Sequence, residues 1–200
     1  ARVSVTGMLS IASASNVPGA RVYANSWVDS SGDLWLFGGD GYDVNGTNGA
    51  LNDLWKYSSG QWTWMEGSNV VNRTGVYGTQ GTAAANNTPG ARQMGVAWTD
   101  ASGNAWLFGG NGYGATSSVG ELNDLWKYSS GQWMWVSGSS SVNQSSTYGT
   151  EGTLAPGNIP DGRIAASGWV DAHGNLWLIG GWQLSGGVTG NLNDLWMYMP

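Results

Sequence analysis

Residues 51–64, LNDLWKYSSGQWTW, return at 122–135 as LNDLWKYSSGQWMW, and their first half returns at 192–198 as LNDLWMY. A second stretch repeats upstream of each copy. SWVDSSGDLWLFGG begins at Ser26, AWTDASGNAWLFGG at Ala97 and GWVDAHGNLWLIGG at Gly168, which gives a period of 71 residues. Repetition at a fixed period indicates a fold built from copies of one supersecondary unit. We therefore interpret the chain as two full repeats followed by a third that stops after its LNDLW segment.

Each repeat contains short runs of β-forming residues separated by turn residues. In the first repeat, RVYANSWVD and DLWLFGG flank the turn DSSGD, whereas LNDLWKY and QWTWM flank SSG. Such runs predict antiparallel hairpins, and no window has the spacing of an amphipathic helix. Each repeat is therefore predicted to be one four-stranded antiparallel sheet. Because residues 34–37 are apolar on both faces of their strand, we expect sheets to cover that strand on both sides.

The composition excludes several classes of function. With 13 Asp and Glu against 7 Lys and Arg, the chain of 200 residues has no basic patch for nucleic acid or an anionic membrane surface. Cysteine is absent and His173 is the single histidine, which excludes disulfides, cysteine catalysis and multi-histidine metal centres. No cofactor is expected, and no apolar stretch reaches the length of a membrane span. Few charges, no thiols and abundant Gly, Ser, Thr, Asn and Trp predict a secreted or cell-surface protein.

The repeated pattern resembles Kelch repeats, including those of the galactose-oxidase-like bacterial propellers. The resemblance rests on an apolar run ending in a Gly pair (38–39, 109–110 and 180–181), a LNDLW-x-Y strand and a following Trp. It implies a β-propeller in which each repeat is one blade, although the period exceeds the roughly 50 residues of a usual Kelch blade. Galactose oxidase activity needs a Tyr–Cys crosslink and His ligands, which this sequence lacks.

The blade interpretation predicts boundaries and an open ring. Residues 1–17 are predicted to be an N-terminal strand and linker, 18–88 the first blade, 89–159 the second, and 160–200 a third blade without its fourth strand. Closed propellers have at least four blades, so about three leave the ring open. Because 1–7 align with the fourth strand of the second repeat, we expect strand exchange between copies, most simply in a two-chain, six-bladed ring. The alternative is a piece of a longer propeller.

The position of a residue within the repeat separates architectural residues from candidate contact residues. All but one of the 14 Trp residues occupy positions shared between repeats, and the exception is Trp182. It replaces Asp40 and Asn111 directly after the Gly pair, on the face predicted to carry the long connections. It is therefore a candidate contact for a sugar or a neighbouring chain. Four Tyr residues are further candidate contacts at the same connections: Tyr42, Tyr113, Tyr77 and Tyr148.

Charged residues also recur once per repeat, and they predict structural ion pairs. The positions are Arg21, Arg92 and Arg163, and, within LNDLW, Asp53, Asp124 and Asp194. A ring of Arg side chains that binds an anionic ligand is the alternative. Asp40, Asp43 and Asn45 have a loose calcium-like spacing without the terminal Glu of an EF-hand.

The sequence predicts a non-catalytic module for protein–protein interaction and self-assembly, because no paired carboxylates stand out for glycoside hydrolysis. Two alternatives stay open. One is carbohydrate binding around Trp182, and the other is a glycoside-active enzyme completed by other segments.

Overall fold

The computed structural model describes residues 9–184 and 189–200, and its secondary structure there consists of strands and turns. The prediction of an all-β fold is confirmed. No helix that could cross a membrane occurs in this part of the chain. The strands form three antiparallel sheets that follow the repeats, together with one two-stranded ribbon.

The first two sheets have the same topology. The first contains β1 (Arg21–Val22), β2 (Asn25–Val28), β3 (Leu34–Tyr42), β4 (Asn48–Ser58) and β5 (Gln61–Glu66). Here β1 and β2 both pair with β3, β3 pairs with β4, and β4 pairs with β5. The second sheet repeats this order with β6 (Arg92–Gln93), β7 (Val96–Thr99), β8 (Ala105–Tyr113), β9 (Val119–Ser129) and β10 (Gln132–Ser137).

The third sheet is smaller. In chain order, its repeat contains β11 (Ser167–Val170), β12 (Leu176–Ile179), β13 (Trp182–Gln183), β14 (Gly190–Asn191) and β15 (Leu195–Tyr198). The sheet order is β11-β12-β15, while β13 and β14 pair as the separate ribbon. Strand β15 is therefore an edge strand, whereas β4 and β9, its counterparts, are interior strands.

An Asp side chain closes the first hairpin of every repeat. In the first, Asp29 Oδ1 accepts the backbone N–H groups of Ser31 and Asp33 at 2.9 and 3.0 Å, and its Oδ2 accepts the indole N–H of Trp35 at 2.8 Å. Asp100 and Asp171 accept the equivalent bonds. Each turn thereby also orients a Trp of the strand that follows it.

Each sheet has two apolar faces, which we name by composition. The Trp face carries Trp27, Trp35, Phe37 and Leu54 in the first sheet, Trp98, Trp106, Phe108 and Leu125 in the second, and Trp169, Trp177, Ile179 and Leu195 in the third. The Leu face carries Leu34, Leu36, Trp55 and Tyr57, then Ala105, Leu107, Trp126 and Tyr128, then Leu176, Leu178, Trp196 and Tyr198. Side chains alternate along each strand, which separates these two sets.

The core consists of two contacts between unlike faces. The Trp face of the first sheet packs against the Leu face of the second, and the Trp face of the second packs against the Leu face of the third. Within one chain, residues 34–37 of the first sheet are covered on the Trp face, whereas Leu34 on the outward Leu face is 46% exposed. The expectation of cover on both faces holds for the equivalent strand of the second sheet, which lies between two neighbours.

Backbone hydrogen bonds link neighbouring sheets just before β2, β7 and β11, and β7 contacts both β2 and β11. The N–H of Met94 donates to the carbonyl of Tyr23, and the N–H of Ala165 donates to the carbonyl of Met94, both at 3.0 Å. These three equivalent residues have positive φ angles of 57°, 59° and 53°, which are uncommon for residues with a side chain. One repeated bond thus relates each sheet to the next.

In the first two sheets, the segment before the sheet packs on the last strand of that sheet. Ser10 and Ser13 donate their N–H groups to the carbonyls of Trp64 and Trp62 in β5. In the connection 80–88, Gly81 and Ala84 make the same bonds to Trp135 and Trp133 in β10. Residues 9–17 therefore hold the place in the first sheet that 80–88 hold in the second. The predicted exchange strand, 1–7, lies outside the described residues.

Candidate functional site

Each predicted Arg lies beside its predicted Asp. Arg92 Nη1 and Nη2 donate to Asp124 Oδ1 and Oδ2 at 2.6 and 2.8 Å, and Nη1 also donates to the carbonyl of Gly109 at 3.2 Å. Trp126 completes the group by donating its indole N–H to Asp124 Oδ2 at 2.7 Å. The pairs Arg21–Asp53 and Arg163–Asp194 repeat this geometry. Because the three Arg side chains are at most 6% exposed, they present no guanidinium to an anionic ligand.

Two of the candidate Tyr residues join these ion pairs. The hydroxyl of Tyr77 donates to Asp124 Oδ2 at 2.6 Å, and that of Tyr148 donates to Asp194 Oδ2 at 2.7 Å. Burial acts to raise the pKa of Asp194, but hydrogen bonds from Arg163, Trp196 and Tyr148 outweigh it and hold that pKa at about 2. Tyr77 is 6% exposed, which removes it from the candidate contacts, whereas Tyr148 in the same position is 60% exposed.

The remaining contact candidates lie at strand ends. Trp182 is half-buried in β13, and its backbone N–H and carbonyl both bond to Ile164, at 2.9 and 3.0 Å. Tyr42 and Tyr113 end β3 and β8, where Tyr42 is 36% exposed and Tyr113 is half-buried. Part of the Trp182 side chain therefore remains accessible, which is compatible with the predicted contact.

The loose calcium pattern has a structural role. Asp43 Oδ1 accepts the N–H groups of Asn45 and Thr47 at 2.8 and 2.9 Å, and its Oδ2 accepts the N–H of Val71 at 3.3 Å. This carboxylate therefore ties a turn to the next connection, while Asp40 lies within β3. Over residues 9–184 and 189–200, no three His, Cys, Asp or Glu side chains cluster as a metal site would require.

A cavity of about 350 Å³ lies between the first and second sheets, lined by residues including Trp27, Trp35, Met65 and Tyr128. Ala105 lines it where the other repeats have Leu34 and Leu176. The ring of Trp35 stacks on that of Trp27 at a centroid distance of 6.0 Å, and the ammonium of Lys56 lies 5.2 Å from its centroid. Neighbouring side chains therefore already occupy part of the Trp35 ring surface.

Glu66 is a half-buried residue, with a buried carboxylate oxygen, that the sequence did not single out. Burial raises its pKa to about 7, and its Oε2 has no hydrogen-bond partner. The second repeat has Ser137 in this position, so the charge occurs once. The sequence feature that could have drawn attention to Glu66 is that the second repeat has no carboxyl at the equivalent position.

Each of the two outward faces leaves apolar side chains exposed. On the outward Trp face of the third sheet, Trp169, Ile179 and Leu195 are 44%, 41% and 53% exposed. Their counterparts in the first two sheets are buried: Trp27, Trp98, Phe37, Phe108, Leu54 and Leu125. The outward Leu face of the first sheet exposes Leu34, whereas Ala105 and Leu176 are buried. Monomeric proteins seldom leave such contiguous apolar faces uncovered.

Comparisons with known proteins bear on the fold alone. No family model matches the sequence, and no curated protein matches it. A solved structure of YjhT is similar, with a TM-score of 0.53 and 18% sequence identity over 84% of this chain. The match covers 46% of that chain, so the present chain spans about half the length of YjhT.

Proposed function

We propose that the chain is a non-catalytic β-propeller module, secreted or on the cell surface, that assembles head to tail with further copies. The outward Leu face of the first sheet would pack against the outward Trp face of the third sheet of the next copy. The observation that carries the proposal is that these two exposed faces have the composition of the two kinds of face that pack together inside the chain. Contacts of this kind are heterologous and form closed rings when the rotation permits.

The residues on the two faces support this pairing. Ile179 and Leu195 occupy the positions of Phe108 and Leu125, which pack against Leu176 and Leu178 of the third sheet. A second copy would offer Leu34 and Leu36 at the positions of Leu176 and Leu178. Burying a large apolar side chain contributes roughly 1.5–3 kcal/mol, so a few such contacts supply a driving force for association.

Three features favour a propeller over other stacked sheets. Each of the first two sheets packs its Trp face on the Leu face of the next, and β7 contacts both β2 and β11. One backbone hydrogen bond recurs, from Met94 to Tyr23 and from Ala165 to Met94. Such relations are expected of blades arranged about a common axis, and they support the proposal.

Particle mass tests the assembly. Multi-angle light scattering of the wild-type chain is expected to give a multiple of the 21.0 kDa chain mass, and Leu34→Asp is expected to give the chain mass itself. Val119→Asp is a matched control, because Val119 is similarly exposed but lies near the start of β9, away from both outward faces. A wild-type monomer at micromolar concentration, or equal effects of the two substitutions, would contradict the proposal.

Carbohydrate binding is the second candidate function. It is favoured by the half-buried side chain of Trp182, the one Trp outside the shared register. A glycan array with the wild-type chain and with Trp182→Ala tests it. Binding that is lost in the variant supports a sugar site, whereas no binding to any glycan leaves self-assembly as the function.

A further inference from the structure

We propose that the cavity between the first and second sheets binds a small alkylammonium cation. Its volume of about 350 Å³ is at the lower end of the roughly 300–1,000 Å³ that is usual for ligand pockets. All of its lining residues lie between positions 27 and 131, so two sheets of one chain form it. The site is separate from the two outward faces used in the proposed assembly.

Two alanines distinguish this interface from the one between the second and third sheets. Ala105 lines the cavity at the position where the third sheet has Leu176, which is 2% exposed. A Cβ on Gly168 would lie 2.5 Å from the indole nitrogen of Trp98, and the first interface has Ala97 in the place of Gly168. The same close approach is therefore not open to a Trp facing Ala97. The shorter side chain at position 105 and the methyl group at position 97 account for the open space.

Aromatic rings form one side of the cavity. The ring of Trp35 stacks on that of Trp27 at 6.0 Å, and the ring of Tyr128 meets Trp35 edge-on at 5.6 Å. The faces of such rings attract cations, most strongly when water is excluded. Trp35 already has the ammonium of Lys56 at 5.2 Å from its centroid. Among the described residues no cation lies over Trp27 or Tyr128, so their ring surfaces are open to a cationic ligand.

The charges around the cavity are mainly negative. Asp29 lines it, and none of the described lining residues is Lys, Arg or His. Burial acts to raise the pKa of Asp29, but hydrogen bonds from the Trp35 indole and two backbone N–H groups outweigh it and lower that pKa. Asp29 and Asp33 share the single ammonium of Lys56, at 3.7 and 2.7 Å. This group therefore retains one negative charge at neutral pH.

A second carboxyl adjoins the cavity. Glu66 is opposite Leu54 on the Trp face, and it directly follows Met65, which lines the cavity. Its Oε2 is buried and has no hydrogen-bond partner. Burial raises the pKa of Tyr128 to about 12, and the charge of Glu66 adds to this rise, so the carboxyl acts on a group of the cavity wall. The second repeat has Ser137 in the place of Glu66, so this carboxyl belongs to the interface that has the cavity.

Isothermal titration calorimetry of the wild-type chain with choline tests the site. The control ligand is 3,3-dimethylbutan-1-ol, which has the same shape with carbon in place of the charged nitrogen. Choline is expected to bind saturably and roughly tenfold or more tightly than the alcohol. A short peptide containing trimethyl-lysine identifies the source of the cation. Tighter binding of the peptide than of choline indicates a protein side chain, the reverse indicates a free amine, and both support an alkylammonium site.

Two substitutions test the cavity and its charge. Ala105→Leu introduces the residue that the third sheet has at this position and is expected to abolish choline binding by filling the cavity. Ala101→Leu is its matched control, because Ala101 is exposed in the neighbouring turn and does not line the cavity. Glu66→Gln is expected to weaken choline binding roughly fivefold or more and to leave binding of the alcohol unchanged. Glu151→Gln makes the same change of charge at an exposed position and is expected to alter neither affinity.

Near-ultraviolet circular dichroism confirms that each variant is folded. The inference is overturned if the folded wild-type chain binds neither choline nor the peptide saturably, if the alcohol binds as tightly as choline, or if Ala105→Leu keeps the wild-type affinity. Equal weakening by Glu66→Gln and Glu151→Gln would also contradict it, because net charge alone would then explain the effect. None of these results would affect the particle mass that tests the assembly.

Discussion

Arg92 and Asp124 form an ion pair in which both side chains are fully buried, with the two guanidinium nitrogens 2.6 and 2.8 Å from the two carboxylate oxygens. Removing the charge of one partner leaves the other uncompensated in a low-dielectric interior. Asp124→Asn is therefore expected to lower the free energy of unfolding by about 3–5 kcal/mol, measured by urea denaturation.

Asp194→Asn is the comparison for that experiment. The side chain of Asp194 is 12% exposed, so water can partly compensate Arg163 in this variant. We expect a smaller loss of stability than for Asp124→Asn. Equal losses in the two variants would show that burial does not set the cost.

The buried carboxyl of Glu66 predicts a dependence of stability on pH. Its pKa in the folded chain is about 7 against an ordinary value of 4.5, because burial disfavours the charged form. Below pH 4.5 the carboxyl is protonated in both states. Between pH 4.5 and 7 the unfolded chain releases this proton first, so the free energy of unfolding falls, on the order of 1–2 kcal/mol for a group with partial solvent access.

Urea denaturation at several pH values from 4.5 to 7.5 measures this loss. Glu66→Gln removes the titrating group and is expected to flatten the profile over the same range. An unchanged profile in Glu66→Gln would assign the pH dependence to another group.

At the Gly pairs, we expect an added side chain to destabilise the fold more than it does at glycines in exposed turns. A Cβ on Gly38 would lie 2.6 Å from the carbonyl oxygen of Arg92 in the next repeat, and φ at Gly38 is +65°. Gly60 has a φ of +80° but no atom within 4 Å of such a Cβ. Gly60→Ala is expected to cost about 1–2 kcal/mol for its backbone conformation alone, and Gly38→Ala more, by thermal denaturation. Equal costs would mean that the approach of Arg92 does not constrain Gly38.

A mixture of two variants, each with one outward face blocked, is expected to form a particle of defined mass. Leu34→Asp blocks the outward Leu face of the first sheet, and Ile179→Asp blocks the outward Trp face of the third, so each variant alone is expected to be monomeric. The mixture retains one intact face of each kind and is expected to form a two-chain particle and nothing larger, by light scattering. A mixture that stays monomeric would contradict the pairing of these faces.

The all-β class followed from the sequence because it depends on local signals. Turn residues such as Asp29 and the apolar run 34–37 act over a few positions, and both recur at equal spacing in the other repeats. The pairing of Arg92 with Asp124 was also accessible, because both recur once per repeat while charge is scarce elsewhere.

Features that depend on contacts between repeats could not be predicted from the sequence in the same way. The sequence marks Tyr77 and Tyr148 as equivalents, yet one is buried and the other exposed, because the strand that covers Tyr77 has no described counterpart in the third repeat. The exposure of Leu34 likewise depends on which sheet lies beside it. Glu66 is buried by its tertiary surroundings, which a local pattern does not reveal.

The hydrogen bonds that join Tyr23, Met94 and Ala165 have a geometric consequence for any closed assembly. In the proposed propeller, this recurring bond keeps the angle between neighbouring sheets the same at every step. The number of blades in a closed ring would then be the full turn divided by that angle. The stoichiometry of such a ring would follow from the repeat itself, without residues devoted to counting subunits.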